Sequence, residues 1–135
     1  MKLTQSFINS TYPMLGGISY AGVAPSDIAK VMRLRKAMRP YFDAYKAFDE
    51  EVRRAQEHFD RLAEIELKGK EASEEDKAFF AEHIPAFIEA VNVAIEPELT
   101  KEYEIDIEPI TEESISTIVA NNKGLTLLMF DFIAE

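Results

Sequence analysis

The sequence predicts an α+β fold that is mostly α: a long, coiled-coil-like helical hairpin, a small antiparallel sheet and short C-terminal helices. Three observations predict it. First, Val31, Met38, Tyr45, Val52 and Phe59 recur every seven residues, with Leu34, Tyr41, Phe48, Ala55 and Leu62 three residues after each. That is the a/d heptad of a helix packed along its length. Second, Phe80, Ile84, Phe87, Val91 and Ile95 form another helical stripe behind Ser73-Glu74-Glu75-Asp76, a good N-cap followed by acids where the helix dipole favours them. Third, "KEYEIDIEP" from Lys101 to Pro109 alternates with a period of two, Tyr103, Ile105 and Ile107 on one side and Glu102, Glu104, Asp106 and Glu108 on the other. That is the signature of a strand with one wet face.

Taken in order, "KLTQS" reads as a short strand, and Leu3 and Phe7 mark it as the pairing partner of the 101–108 strand. A brief helix capped by Ser6 follows in "SFINSTYPML". "GGISYAGVAP" is a loop, punctuated by Gly16, Gly17, Gly22 and Pro25. The long helix starts with Ser26 as N-cap and Asp27 in its first turn, and ends near Lys68-Gly69-Lys70. Pro40 lies on its outer face and bends rather than ends it, a break there being the other reading. In the second helix Pro85 kinks or divides the chain and Pro97 ends it. "TEESISTIV" is a short helix capped by Thr111, and Asn121-Asn122-Lys123-Gly124 a turn. The ending "LTLLMFDFIAE" has Leu125, Leu128, Met129, Phe132 and Ile133 at helical spacing, although a strand fits the period too.

At 135 residues the chain is expected to be a single domain, 1–135. A helix of about 40 residues is roughly 60 Å long, against roughly 35 Å for the second helix and a domain diameter of roughly 35–40 Å. Some of the seam is therefore covered by the terminal segments, interrupted at Pro40, or shared with another subunit. Tyr41, Tyr45, Phe48 and Val52 mark the stretch where a homo-oligomer interface is expected.

Composition limits the functions on offer. Without cysteine there is no disulfide, thiol nucleophile or thiolate metal site. A net charge of −10 argues against direct nucleic-acid binding, which depends on neutralising phosphates. The charge is segregated: six basic residues against Asp27 and Asp43 over 26–46, but fourteen acids against Lys77 and Lys101 over 71–113. No uninterrupted apolar run approaches the ~20 residues that span a bilayer, and the start of the chain lacks the apolar core of a signal peptide. A cytoplasmic protein without membrane contact is expected.

No serine-triad spacing, HExxH, Walker loop, GxGxxG or EF-hand loop is present. His58 and His83 are the only histidines. An antiparallel hairpin would bring them together with Glu57 or Glu82 in reach, a two-histidine, one-carboxylate arrangement that can hold a metal. Surface histidines are common, however, and the reading assigns no metal, no cofactor and no catalytic residue: the chain is not read as an enzyme. The acidic row Glu102, Glu104, Asp106 and Glu108 has a same-face spacing of roughly 6.6–6.8 Å, close to that of phosphates along DNA. It supports an alternative reading as an acidic inhibitor or DNA mimic that blocks a nucleic-acid-binding protein. Outward charges on an edge strand, which deter aggregation, account for the row more simply.

The segments "MKLTQSF", "VMRLRKAMRPYFDAYKAFDEEVRRAQEHFD", "FIEAVNVAIEPELTKEYEIDIEPI" and "LTLLMFDFIAE" together resemble a family of short phage and prophage proteins of unknown function. Those chains run from a small strand through a long charged helix to an acidic strand and a small apolar C-terminal helix. The resemblance covers nearly the whole chain and implies a phage-encoded accessory protein used in particle assembly, with no catalytic motif. The GGISYAGVAP loop, Pro40 and Pro85 depart from that pattern.

Overall fold

A computed structural model describes residues 1–135. The protein is mostly helical with one two-stranded antiparallel sheet, and its chain forms two compact units, Met1–Asp43 with Lys101–Glu135, and Ala44–Thr100.

The first unit contains strand β1 (Lys2–Thr4), helix α1 (Gln5–Gly16), the beginning of α2 (Pro25–Arg54), strand β2 (Glu102–Glu104), helix α5 (Glu112–Asn121) and a 3-10 helix, Leu127–Ile133. The sheet pairs Leu3 with Tyr103, and the amides of Gln5 and Ile105 prolong it onto the Lys101 and Met1 carbonyls at 2.8 and 2.9 Å. The expected 101–108 strand is thus only three residues long. Its partner is short because Thr4, not Ser6, caps α1: the Thr4 hydroxyl accepts from the Phe7 amide at 3.1 Å. Beyond Glu104 no strand remains to pair with, yet alternation continues, with Ile105 buried and Asp106 and Glu108 exposed.

Ser26, the expected cap of α2, lies inside the helix, which starts at Pro25. Proline suits that first position because its fixed φ is helical and its missing N–H would be unpaired there anyway. The helix runs unbroken through Pro40. Val31, Leu34 and Met38 enter a core with Leu3, Ile8, Leu15, Ile105, Ile110, Ile115, Ile118, Phe130 and Ile133, so the terminal segments cover this part of the heptad seam. Arg35 holds α2 to α1. Its Nε donates to the Tyr12 carbonyl at 3.2 Å and its guanidinium lies 4.1 Å from the Tyr12 ring centroid. Any side chain at Gly16 would run into that guanidinium.

Thr111 caps α5 as expected, accepting from the Ser114 amide, and Asn122 ties the helix end to the 17–24 loop through both Ser19 backbone groups. The final segment is neither α-helix nor strand. At three residues per turn, a 3-10 helix places i and i+3 on one side, so Phe130 and Ile133 point inward while Leu128, expected inside, is 78% exposed. Hydrogen bonds with Ile110 fasten this segment, the Ile110 amide donating to Ile133 and the Glu135 amide to Ile110.

The second unit contains the end of α2, helix α3 (Phe59–Lys68), a 3-10 turn (Gly69–Glu71) and helix α4 (Glu74–Leu99). The single long helix expected to reach Lys68 is interrupted, not at Pro40 but at Ala55–His58. The Gln56 amide turns to the Arg53 carbonyl, and the Gln56 side chain takes the Val52 carbonyl that its own amide has left, at 3.0 Å. His58 then adopts φ +67, a conformation unfavourable for a residue with a Cβ. A heptad pattern registers side-chain spacing and is blind to this backbone exchange.

Ser73 caps α4 as expected, accepting from Asp76 N at 3.1 Å. The helix passes through Pro85 and Pro97 and ends at Leu99, two residues beyond the expected stop, where the Thr100 hydroxyl donates to the Pro97 carbonyl. By length and composition α4 is also apolar enough to cross a membrane, with 6% of its most apolar window buried. Glu82, His83, Glu89 and Asn92 interrupt its strict apolar runs without lowering the average below that mark.

Candidate functional site

The second unit has few buried side chains. Only Leu62, Ile65, Ala72 and Val91 among its apolar residues are buried. Tyr45, Phe48, Val52, Phe59, Phe79, Phe80, Ile84, Phe87 and Ile95 are half-buried, and Ile88, Val93 and Leu67 are 47%, 66% and 90% exposed. Helices packed in a single layer leave the flanks of their contact open, whereas a bundle closes them. Three of the four expected interface residues, Tyr45, Phe48 and Val52, lie in this unit. Burial pushes the Tyr45 hydroxyl up from its ordinary pKa, the Asp49 carboxylate adding to the effect, and Asp49 itself is paired with Arg53 at 2.9 Å. Tyr41, the fourth, belongs to the first unit, where it stacks on Tyr103 with ring centroids 4.2 Å apart.

The four carboxylates of the acidic row all point outward, but two are engaged. Glu104 accepts from the N-terminal ammonium at 2.9 Å, which holds its carboxyl below the usual range. Glu108 receives two bonds from Arg33, at 2.6 and 3.1 Å, and is lowered by them in the same way. Only Glu102 and Asp106 carry no ion pair. Lys30 is also spent, on the Pro109 carbonyl and beside Asp27. Of the six basic residues of 26–46, Lys30, Arg33 and Arg39 are thus paired with carboxylates of their own chain.

The chain's two histidines do meet. Their ring centroids are 4.3 Å apart, and each ring also lies against Phe79, at 5.1 Å for His58 and 4.3 Å for His83. They line a cavity of about 370 Å³ with Gln56, Glu57, Ala86, Phe87 and Ala90. Glu57 stands 3.5 Å from His58 Nε2, and Glu82 stands 3.8 Å from His83 Nε2. No group of three or more histidine or carboxylate side chains converges as a metal-ligand set.

Sequence reasoning missed Asp27 as more than a first-turn acid. It is 3% exposed, and one of its oxygens accepts from Ser114 Oγ at 2.5 Å, Thr111 Oγ1 at 2.9 Å and the Thr111 amide at 3.3 Å. These hydrogen bonds, that from Ser114 foremost, hold its carboxyl below the ordinary range. One carboxylate thus serves the starts of both α2 and α5. The only sequence signal was the Thr111-x-x-Ser114 cap, which names one partner and not the other.

Scanning the chain against protein-family models, curated proteins and solved structures returned no match.

Proposed function

We propose that this is a non-enzymatic accessory or assembly protein of phage or prophage type, acting in the host cytoplasm through protein–protein contact and self-association. One observation carries the reading: the half-buried aromatic and aliphatic surface of the 44–100 unit. The helix α4 is about 39 Å long, and a pair of helices is roughly 20 Å across. Such a face offers roughly 800 Å² per copy, the area each partner contributes to a standard stable interface. In this reading the seam through Tyr45, Phe48 and Val52 acts as a coiled-coil-like hairpin, which a second copy completes into a bundle. Membrane insertion of α4 is disfavoured by charge. Its first turn is acidic and its last turn has no basic residue, whereas membrane flanks favour lysine and arginine.

Molar mass by light scattering at low and high salt tests the proposal. A dimer or larger species that survives high salt is expected, because apolar burial is not screened. Tyr45→Glu with Phe48→Glu is expected to yield a helical monomer. A wild-type chain that is monomeric at every concentration would sink the reading. The acidic-mimic alternative rests on the unpaired Glu102 and Asp106. Changing Glu102, Glu104, Asp106 and Glu108 to Gln or Asn should abolish any capture of a cationic partner under that alternative, and should leave the molar mass unchanged under ours.

A further inference from the structure

We infer that the 44–100 unit carries a binding site for a borderline divalent transition-metal ion, Zn²⁺ or Ni²⁺, built on His58 and His83. Both histidines sit in Glu-His dipeptides, Glu57-His58 and Glu82-His83, and the fold of the unit sets the two rings against each other. The imidazoles lie 4.3 Å apart, with side chains 34% and 29% exposed, so an ion can reach them from the cavity they line.

Imidazole is a preferred ligand for these ions. The adjoining Glu57 and Glu82 carboxylates, 3.5 and 3.8 Å from the ring Nε2 atoms, are too distant for good hydrogen bonds and supply negative charge that favours a cation. Gln56, whose amide N–H is bonded to the Val52 carbonyl, lines the same cavity and adds a polar side chain to it. Because no third histidine or carboxylate converges, the protein offers two imidazoles and the remaining positions belong to water or an external ligand.

His58 is also the chain's one non-glycine residue with positive φ. That conformation is disfavoured, and contacts with Phe79 and His83 help to keep the ring in place. A bound ion would staple the α2–α3 break to the middle of α4.

Calorimetric titration of the untagged chain with ZnCl₂ and NiCl₂ tests the site. One ion per chain is expected, with a melting temperature that rises with metal concentration. His58→Asn, chosen because Asn tolerates positive φ, and His83→Gln should each weaken binding at least tenfold. Wild-type affinity in both variants would overturn the site. So would half an ion per chain with metal-driven dimerisation, or no heat together with unperturbed histidine ring signals in NMR at millimolar Zn²⁺. Should a variant fail to fold, the ring signals of the wild-type chain decide: perturbation of both supports the site, and perturbation of neither refutes it.

Discussion

Replacing Asp27 by Ala should destabilise the first unit by about 3 kcal/mol. The carboxylate is 3% exposed and accepts three hydrogen bonds on one oxygen, two from Thr111 and one from Ser114, with Lys30 Nζ at 3.6 Å from the other. A hydrogen bond to a charged group is worth about 1.5–3 kcal/mol. Three donors sharing one acceptor are not additive, and removing the charge also removes its desolvation cost. The estimate therefore stays near that of one strong bond, plus the cost of leaving Ser114 without its acceptor. For a chain of this size it corresponds to a fall of roughly 10 °C in melting temperature.

The same group predicts a pH dependence. Its folded carboxyl is held below the ordinary value, so its contribution is complete above the unfolded pKa of about 3.9. It is lost as pH falls through the folded pKa. Urea unfolding followed by circular dichroism, at pH 7 and in steps down to pH 2.5, measures both effects. Asp27→Asn should remove this part of the acid sensitivity, and Asp27→Ala combined with Ser114→Ala should cost less than the sum of the two single changes. A loss under about 0.5 kcal/mol for Asp27→Ala, or an unchanged acid limb in Asp27→Asn, would refute the reasoning.

Tyr20 should behave in the opposite sense at high pH. Its hydroxyl donates to the Leu15 carbonyl, and burial pushes its pKa up to about 12, with Arg35 pulling weakly against the rise. The stability it contributes is complete below the unfolded value of about 10 and is lost as pH climbs toward the folded one. Tyr20→Phe should flatten that alkaline loss while costing about 1 kcal/mol at neutral pH. An absorbance titration in which every tyrosine ionises together at the ordinary pKa would contradict it. Phe130, fully buried, should lose about 3–5 kcal/mol on truncation to Ala, with molar mass unchanged at temperatures where the chain stays folded. A change in mass under those conditions would mean that the first unit takes part in association.

Much of the fold was legible because it depends on local chemistry. The Ser73 and Thr111 caps, the Gly124 turn and the alternation around Ile105 all follow from groups within a few residues of one another, whose hydrogen bonds and period the sequence displays directly. The approach of His58 to His83 was legible only on the condition of an antiparallel hairpin, and the structure places His58 in a helix break rather than on a helix. Other features were decided by partners remote in sequence or by a backbone choice that side-chain spacing does not record. The length of β2 depended on where Thr4 capped α1. The helix break at Ala55–His58 depended on Gln56 taking the Val52 carbonyl. Phe130 and Ile133 displaced Leu128 from the core because a 3-10 helix has three residues per turn. Asp27 shows the division most clearly. The sequence by itself determined an acid at a helix start, favourable in the field of the first turn. Only the tertiary structure brought Thr111 and Ser114, 84 and 87 residues away, within hydrogen-bonding reach, and so made that acid a buried junction between two helices.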